Sequence, residues 1–108
     1  MTIQYEDFAK LDLRVVTILE AKPHPNADKL LLLKVKMGGE ERQIVAGVRK
    51  QYEGVELAGR QIVIVANLEP RALRGETSHG MLLAASDEAG NLALLQPDKA
   101  LSPGAKVS

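Results

Sequence analysis

Lys29-Leu30-Leu31-Leu32-Leu33-Lys34-Val35-Lys36-Met37-Gly38-Gly39-Glu40-Glu41-Arg42-Gln43-Ile44-Val45-Ala46-Gly47-Val48 is the stretch that decides the fold. Side chains alternate along an extended chain. Leu31, Leu33, Val35 and Met37 therefore share one face, and Lys34 and Lys36 share the other with Leu30 and Leu32. This reads as a strand over 29–37 with one face toward a core. Gly38-Gly39 supplies a tight hairpin turn, and Glu41 to Val48 returns as a strand paired with the first.

The rest of the chain is read outward from this hairpin. Upstream, Leu13 to Ala21 is rich in Val, Ile, Thr and Leu and forms a first strand. Pro23-His24-Pro25-Asn26 stops it, since proline cannot donate to a ladder. Glu6 to Leu11 has room for one short helical turn. Downstream, Arg49 to Gly59 lacks a strand pattern and reads as a loop with a helical turn. Arg60 to Leu68 is a fourth strand, whose Ile62-Val63-Ile64-Val65-Ala66 run suits cover on both faces. Glu69 to Gly75 is a basic connection, His79 to Ala85 a fifth strand, and Asn91 to Leu95 a further short one. Three strands, a helical connection and two strands are the parts of a five-stranded OB-fold Greek-key barrel. The expected class is all-β, with short helical segments and a C-terminal extension. An SH3-like barrel or a small sandwich is the alternative. At 108 residues the chain is expected to be one domain, with the barrel over 10–86 and the extension over 87–108.

Composition narrows the function classes. There is no cysteine, which removes disulfides, thiolate metal sites and a cysteine nucleophile. No apolar run approaches the ~20 residues of a membrane span. Met1 to Asp7 has neither the basic nor the apolar region of a secretory signal, so a cytoplasmic protein without membrane contact is expected. The formal net charge is zero, but its distribution is uneven. Residues 10–74 hold twelve Lys/Arg against eight Asp/Glu, and the flanks hold two against six. Affinity for phosphate follows the local field rather than the sum.

An enzyme finds little support. Ser78 and His79 would point to opposite faces of a strand and cannot form a dyad. Pro23 and Pro25 make a helix joining His24 to Asp28 unfavourable. Two histidines and scattered carboxylates give no metal cluster, and no glycine-rich phosphate loop is present. No cofactor is expected. A binding role fits better. An OB-fold takes its ligand across strands 2 and 3, between the loop joining strands 1 and 2 and the loop joining strands 4 and 5. The first of these loops carries His24, Asn26 and Lys29. Strand 2 offers Lys34 and Lys36, whose plainer role is a solvated face that blocks edge pairing. Arg49 and Lys50 follow strand 3, and Arg71 and Arg74 lie in the second loop. Asn67 and Ser78 have the groups to hydrogen-bond sugar or backbone. The aromatic residues are Tyr5, Phe8 and Tyr52, none in an expected strand. Single-strand binders stack bases on aromatic platforms. Their lack points to folded RNA read by shape and backbone, with Met81 either packing on an unstacked base or filling the core.

Five ordered blocks also carry a family resemblance. They are Asp12-Leu13-Arg14-Val15, His24 to Leu30, Glu41 to Val48, Val65 to Arg71, and Leu73 to Ala85. From Phe8 to the C-terminus the chain resembles the tRNA-binding domain appended to methionyl-tRNA synthetases, which also occurs as a free-standing tRNA-binding protein. The resemblance implies a homodimeric OB-fold that binds the common shape of tRNA without anticodon specificity, alone or joined to a synthetase catalytic body. Asn26, Lys29, Arg42, Asn67, Arg71, Arg74, Ser78 and Met81 fall on matching motif positions. His79 is given no role, and Leu92 to Val107 corresponds to the segment expected to stabilise a dimer. One branch of the family resembles an export-associated chaperone, also a dimeric OB-fold, that binds unfolded polypeptide. This chain has the Asn26-Ala27-Asp28-Lys29 loop and the Ser78-His79-Gly80-Met81 block, which favour tRNA over peptide.

Overall fold

The computed structural model describes the backbone of residues 1–108 and every side chain except that of Val55. A short helix, α1 (Tyr5–Ala9), precedes ten strands: β1 (Leu13–Pro23), β2 (Leu31–Met37), β3 (Glu40–Ala46), β4 (Gln61–Val65), β5 (Arg71–Leu73), β6 (Glu76–Ser78), β7 (Met81–Leu82), β8 (Ala84–Ser86), β9 (Leu92–Leu94) and β10 (Lys106–Val107). A 3₁₀ turn at Val55–Leu57 lies in the connection where a helical turn was expected.

The main sheet is antiparallel, in the order β3-β2-β1-β4-β7. That is the OB-type order, in which the first strand lies centrally and serves both halves of the barrel. β1 can do this because it is long. Its N-terminal part pairs with β4 from Leu13 opposite Val65 to Thr17 opposite Gln61, and its C-terminal part pairs with β2 from Thr17 opposite Lys36 to Pro23 opposite Leu31. The register shifts between Ile18 and Glu20. The extra residue, Leu19, is where the strand bends and the sheet curls.

β2 and β3 meet in continuous register from Leu31 opposite Ala46 to Met37 opposite Glu40, with Gly38-Gly39 as the two-residue turn. Gly38 adopts a φ of 59°, the left-handed region that such a turn requires. The alternation expected along β2 holds from Leu33 to Lys36, although Leu32, on the lysine face, is buried as well; Leu31, Leu33 and Val35 are fully buried, while Lys34 and Lys36 are exposed. With Val16, Ile18, Ile44, Leu57, Ile62 and Ile64 they fill the interior of the curl.

Two sequence expectations change. The fifth strand is not continuous. Met81–Leu82 pairs with β4, then the chain turns aside and Ala84–Ser86 forms a separate hairpin with β9. The basic connection is itself a hairpin, β5 against β6. Its three-residue strands are too short for periodicity to reveal. The C-terminal residues also contribute a strand that the sequence pattern did not mark. β10 covers the edge of β1 beyond the end of β2, pairing Leu13 with Val107 and Arg14 with Lys106. Arg14 holds the tail there, its Nη1 donating to the Gly104 carbonyl at 3.1 Å while its Nε bonds Asp12 at 2.6 Å.

The curl closes without a full ladder. β3 and β7 approach, and the connection around Ser78 and His79 joins them mainly through side chains. The His79 N–H donates to the Gln43 carbonyl at 2.9 Å. The Ser78 hydroxyl accepts from the Val45 N–H at 2.9 Å and donates to the Gly80 carbonyl at 2.8 Å. Gln43 Nε2 donates to the Thr77 carbonyl at 2.9 Å and to Glu76 at 3.2 Å.

Candidate nucleic-acid interface

Two arms flank the open end of β2 and β3. The first is the loop from His24 to Leu30. It is held by backbone bonds from His24 to Leu30 and from Leu30 to Ala27, and by Arg49, whose Nη1 donates to the Ala27 carbonyl at 3.1 Å. Arg49 is therefore a brace for this arm as well as a cation beside it. Asn26 and Lys29 are exposed on it, and Lys50 is exposed next to Arg49.

The second arm is the β5–β6 hairpin. Its two central turn residues, Arg74 and Gly75, have φ values of 54° and 89°. Two successive positive φ angles mark the type I′ turn, which favours Asn-Gly because asparagine and glycine tolerate that region. Arginine at the first position costs free energy, on the order of 1 kcal/mol. Arg74 is the only non-glycine residue with positive φ among the described residues, and it is exposed at the tip with Arg71 exposed one turn below. A cation kept where the backbone disfavours it is an observation that points to function.

Between the arms lies a groove of about 700 Å³, lined by Leu30, Val45, Leu68, Arg71, Leu73 and Met81 among others. Met81 is 50% exposed and Leu68 44% exposed, so Met81 is a surface side chain rather than core filling. No aromatic side chain lines this groove. Tyr52 packs against the core and accepts a hydrogen bond from the Leu94 N–H at 3.2 Å, while Tyr5 and Phe8 lie on α1.

The outer face of β1, β2 and β3 is mixed in charge. Lys34 sits opposite Glu20 and Gln43, and Lys36 opposite Thr17 and Glu41. A second groove is lined by Glu20, Lys22, Lys34, Glu41 and Arg42. Lys34 and Lys36 thus each have an acid as a cross-strand neighbour.

Like Arg49, three more of the residues singled out from the sequence have fold-holding partners. Arg42 lies on the inner side of β3, in register with Val35. Its Nη1 donates to the Ala66 carbonyl at 2.6 Å and its Nε approaches Glu40 at 3.4 Å, so it fastens the mouth of the barrel. Asn67 stands at the end of β4. Its Oδ1 accepts from the Asp12 N–H at 2.9 Å and its Nδ2 donates to the Lys10 carbonyl at 2.8 Å. Ser78 is buried, with its proton and an acceptor lone pair engaged as described above. The structure brings together Asn26, Lys29, Arg49 and Lys50 on one arm and Arg71, Arg74 and Met81 on or beside the other. Leu68 also belongs to this surface. Its sequence position carried no signal, because a leucine ending a strand reads equally well as core.

A curled OB-type sheet bearing a cationic loop and a cationic hairpin around an open groove is the architecture of a ligand-binding module. The chain belongs to the tRNA-binding domain family: the family model described as "Putative tRNA binding domain" matches residues 13–106. The methionine–tRNA ligase of Pyrococcus horikoshii is 58% identical over 105 residues, covering 97% of this chain and 14% of that protein. The methionine–tRNA ligase of Deinococcus radiodurans is 50% identical over the same share of this chain and 15% of its own length. The chain thus spans about one seventh of these curated relatives. Among solved structures, a MetRS-related protein from Pyrococcus horikoshii superposes with a TM-score of 0.94 at 32% identity, covering 100% of this chain and 99% of that one. The chaperone CsaA from Bacillus anthracis superposes at 0.90 with 35% identity over the whole of both chains.

Proposed function

We infer that this chain binds folded tRNA without catalysing a reaction, supplying affinity either as an appended domain of a methionyl-tRNA synthetase or as a free-standing protein. The observation that carries this reading is Arg74, an exposed cation at the tip of a hairpin whose turn disfavours it; Arg71 and Leu73 of that hairpin line an open groove together with Leu30, which follows Asn26 and Lys29. Arg71, Arg74 and Lys29 would neutralise phosphates, and Met81 would pack on an exposed base or ribose. The absence of an aromatic platform in the groove supports recognition of a folded backbone over single-strand stacking. Lys34, Lys36, Arg49 and Lys50 would add to the field at longer range. Arg42, Asn67 and Ser78 would contribute by holding the surface in shape.

The same reading includes a homodimer acting in the cytoplasm alongside a synthetase body. Leu11, Leu19, Leu95 and Leu101 each remain 40% or more exposed, and burying them between two copies would add apolar stabilisation to a small core. Two copies would also present two cationic surfaces, raising the effective concentration of tRNA at an attached catalytic body.

Titration with bulk tRNA at two salt concentrations, against unstructured RNA of equal length, tests the proposal. Neutralising three or four phosphates gives a log–log salt slope of roughly −3, so affinity should fall on the order of 60-fold between about 50 and 200 mM salt. A salt-insensitive affinity, or no preference for folded RNA, would count against it. Capture of unfolded polypeptide is the second reading. It draws on the apolar groove and the likeness to CsaA, but the relatives of highest identity reported above are methionine–tRNA ligases. Suppression of client aggregation that excess tRNA does not relieve would favour it.

A further inference from the structure

Among the described residues, His24 and Ser78 are the two buried polar side chains, and both fasten the β5–β6 hairpin. This hairpin needs fastening. It forms its own two-stranded sheet and shares no ladder with the main one, and a lone pair of short strands is marginal in water. Ser78 pins its base to β3. His24 holds the other end: its Nε2 lies 2.9 Å from the carbonyl of Leu73, the residue before the Arg74 turn. The other ring nitrogen, Nδ1, accepts the Asn26 N–H at 2.9 Å. Because a backbone N–H points at Nδ1, that atom carries the lone pair, and Nε2 carries the proton donated to Leu73. One neutral imidazole, 2% exposed, thus bonds both arms of the site at once.

We propose that His24 is a positioning residue for tRNA, a clasp that sets the Asn26–Lys29 loop and the Arg71–Arg74 hairpin at a fixed separation. This role rests on the tRNA-binding reading above. Its physical basis is preorganisation: arms held in place before binding need not be ordered by the ligand.

The two hydrogen bonds can be separated by substitution. In His24→Gln the amide NH₂ reaches where Nε2 lies, keeping the cross-link. In His24→Asn the side-chain oxygen lies near Nδ1, keeping the bond to Asn26 and losing the one to Leu73. The chain has no cysteine, so nitroxide labels at Asp28→Cys and Ala72→Cys report the separation of the arms without tRNA. The wild-type and His24→Gln backgrounds should give one narrow distance distribution, and His24→Asn a broad one. Affinity for bulk tRNA should be kept within about twofold by His24→Gln and fall about tenfold in His24→Asn. Nitrogen NMR of the unsubstituted chain should show Nδ1 unprotonated and Nε2 protonated. Equal behaviour of the two variants, the reverse order, the opposite tautomer, or broadening without loss of affinity would overturn the clasp. Failure of the wild-type chain to bind tRNA would refute the functional reading instead, and the label distances would still decide whether His24 joins the arms.

Discussion

Replacing Ser78 by alanine removes a hydroxyl that accepts one buried hydrogen bond and donates another. The Val45 N–H is then left facing a methyl group. Its own strand cannot satisfy it, because β2 lies on the opposite edge of β3 and no ladder pairs β3 with β7. An orphaned buried donor costs about 1–3 kcal/mol. The Gly80 carbonyl loses a partner too, but carbonyls tolerate this better than N–H groups. Together the expected loss is about 2–3 kcal/mol, or roughly 8–12 °C in Tm for a domain of this size. Urea unfolding followed by circular dichroism would measure it. Ser78→Cys, whose thiol is a weak donor and acceptor, should fall between wild type and Ser78→Ala. The alternative role for Ser78, a direct contact to sugar or phosphate, makes the opposite forecast of unchanged stability and weakened tRNA binding. A Tm within about 2 °C of wild type would refute the structural assignment.

Gly80 has a φ of 124°, and a Cβ there would stand 2.9 Å from the Val65 carbonyl oxygen, whereas a Cβ at Gly59, φ 90°, meets nothing within 4 Å. Gly80→Ala should therefore destabilise by about 3 kcal/mol or more and Gly59→Ala by about 1 kcal/mol, and equal denaturation midpoints would contradict the packing described at β7. Arg74→Asn should leave stability unchanged or raise it by up to about 1 kcal/mol, since asparagine suits the I′ turn. The same variant should weaken tRNA binding and reduce the salt slope by about one unit, and a lower Tm with unaltered binding would sink the role given to this cation. The Asp87 carboxyl is held below its ordinary value, chiefly by a side-chain hydrogen bond from Asn91 and then by backbone N–H groups of the β8–β9 turn. A depressed folded-state value means the stabilisation is present above the unfolded value and is lost as pH falls through the folded one. Amide NMR should show that turn loosening only in acid below the usual carboxylate range, and Asp87→Asn should abolish the transition.

The sequence by itself located the first four strands of the curl and the face of β2 that is fully buried. Alternation along Leu31 to Met37 and the glycine turn at 38–39 are local properties of an extended chain, and they leave β2 and β3 one register that puts leucine and valine inside. The same local chemistry identified the cations as a set, and the ordered blocks pointed to the tRNA-binding domain family. Which of them share a surface was a different matter. Arg42 looks like one more strand cation, yet its parity with Ile44 places it at the mouth of the barrel, bonded to Ala66. Asn67 and Ser78 carry the right groups for a sugar contact, but their partners lie 55 and 33 residues away, at Asp12 and Val45. The hairpin that raises Arg74 has strands of three residues, shorter than any periodicity can register. His24 gained a role only when Leu73, 49 residues on, was folded against it. Alternation and turn chemistry act between neighbours in the chain and can be read there. The hydrogen bonds that close this barrel and fasten its arms join distant residues, and only the tertiary structure decides whether a polar side chain faces a ligand or the fold itself.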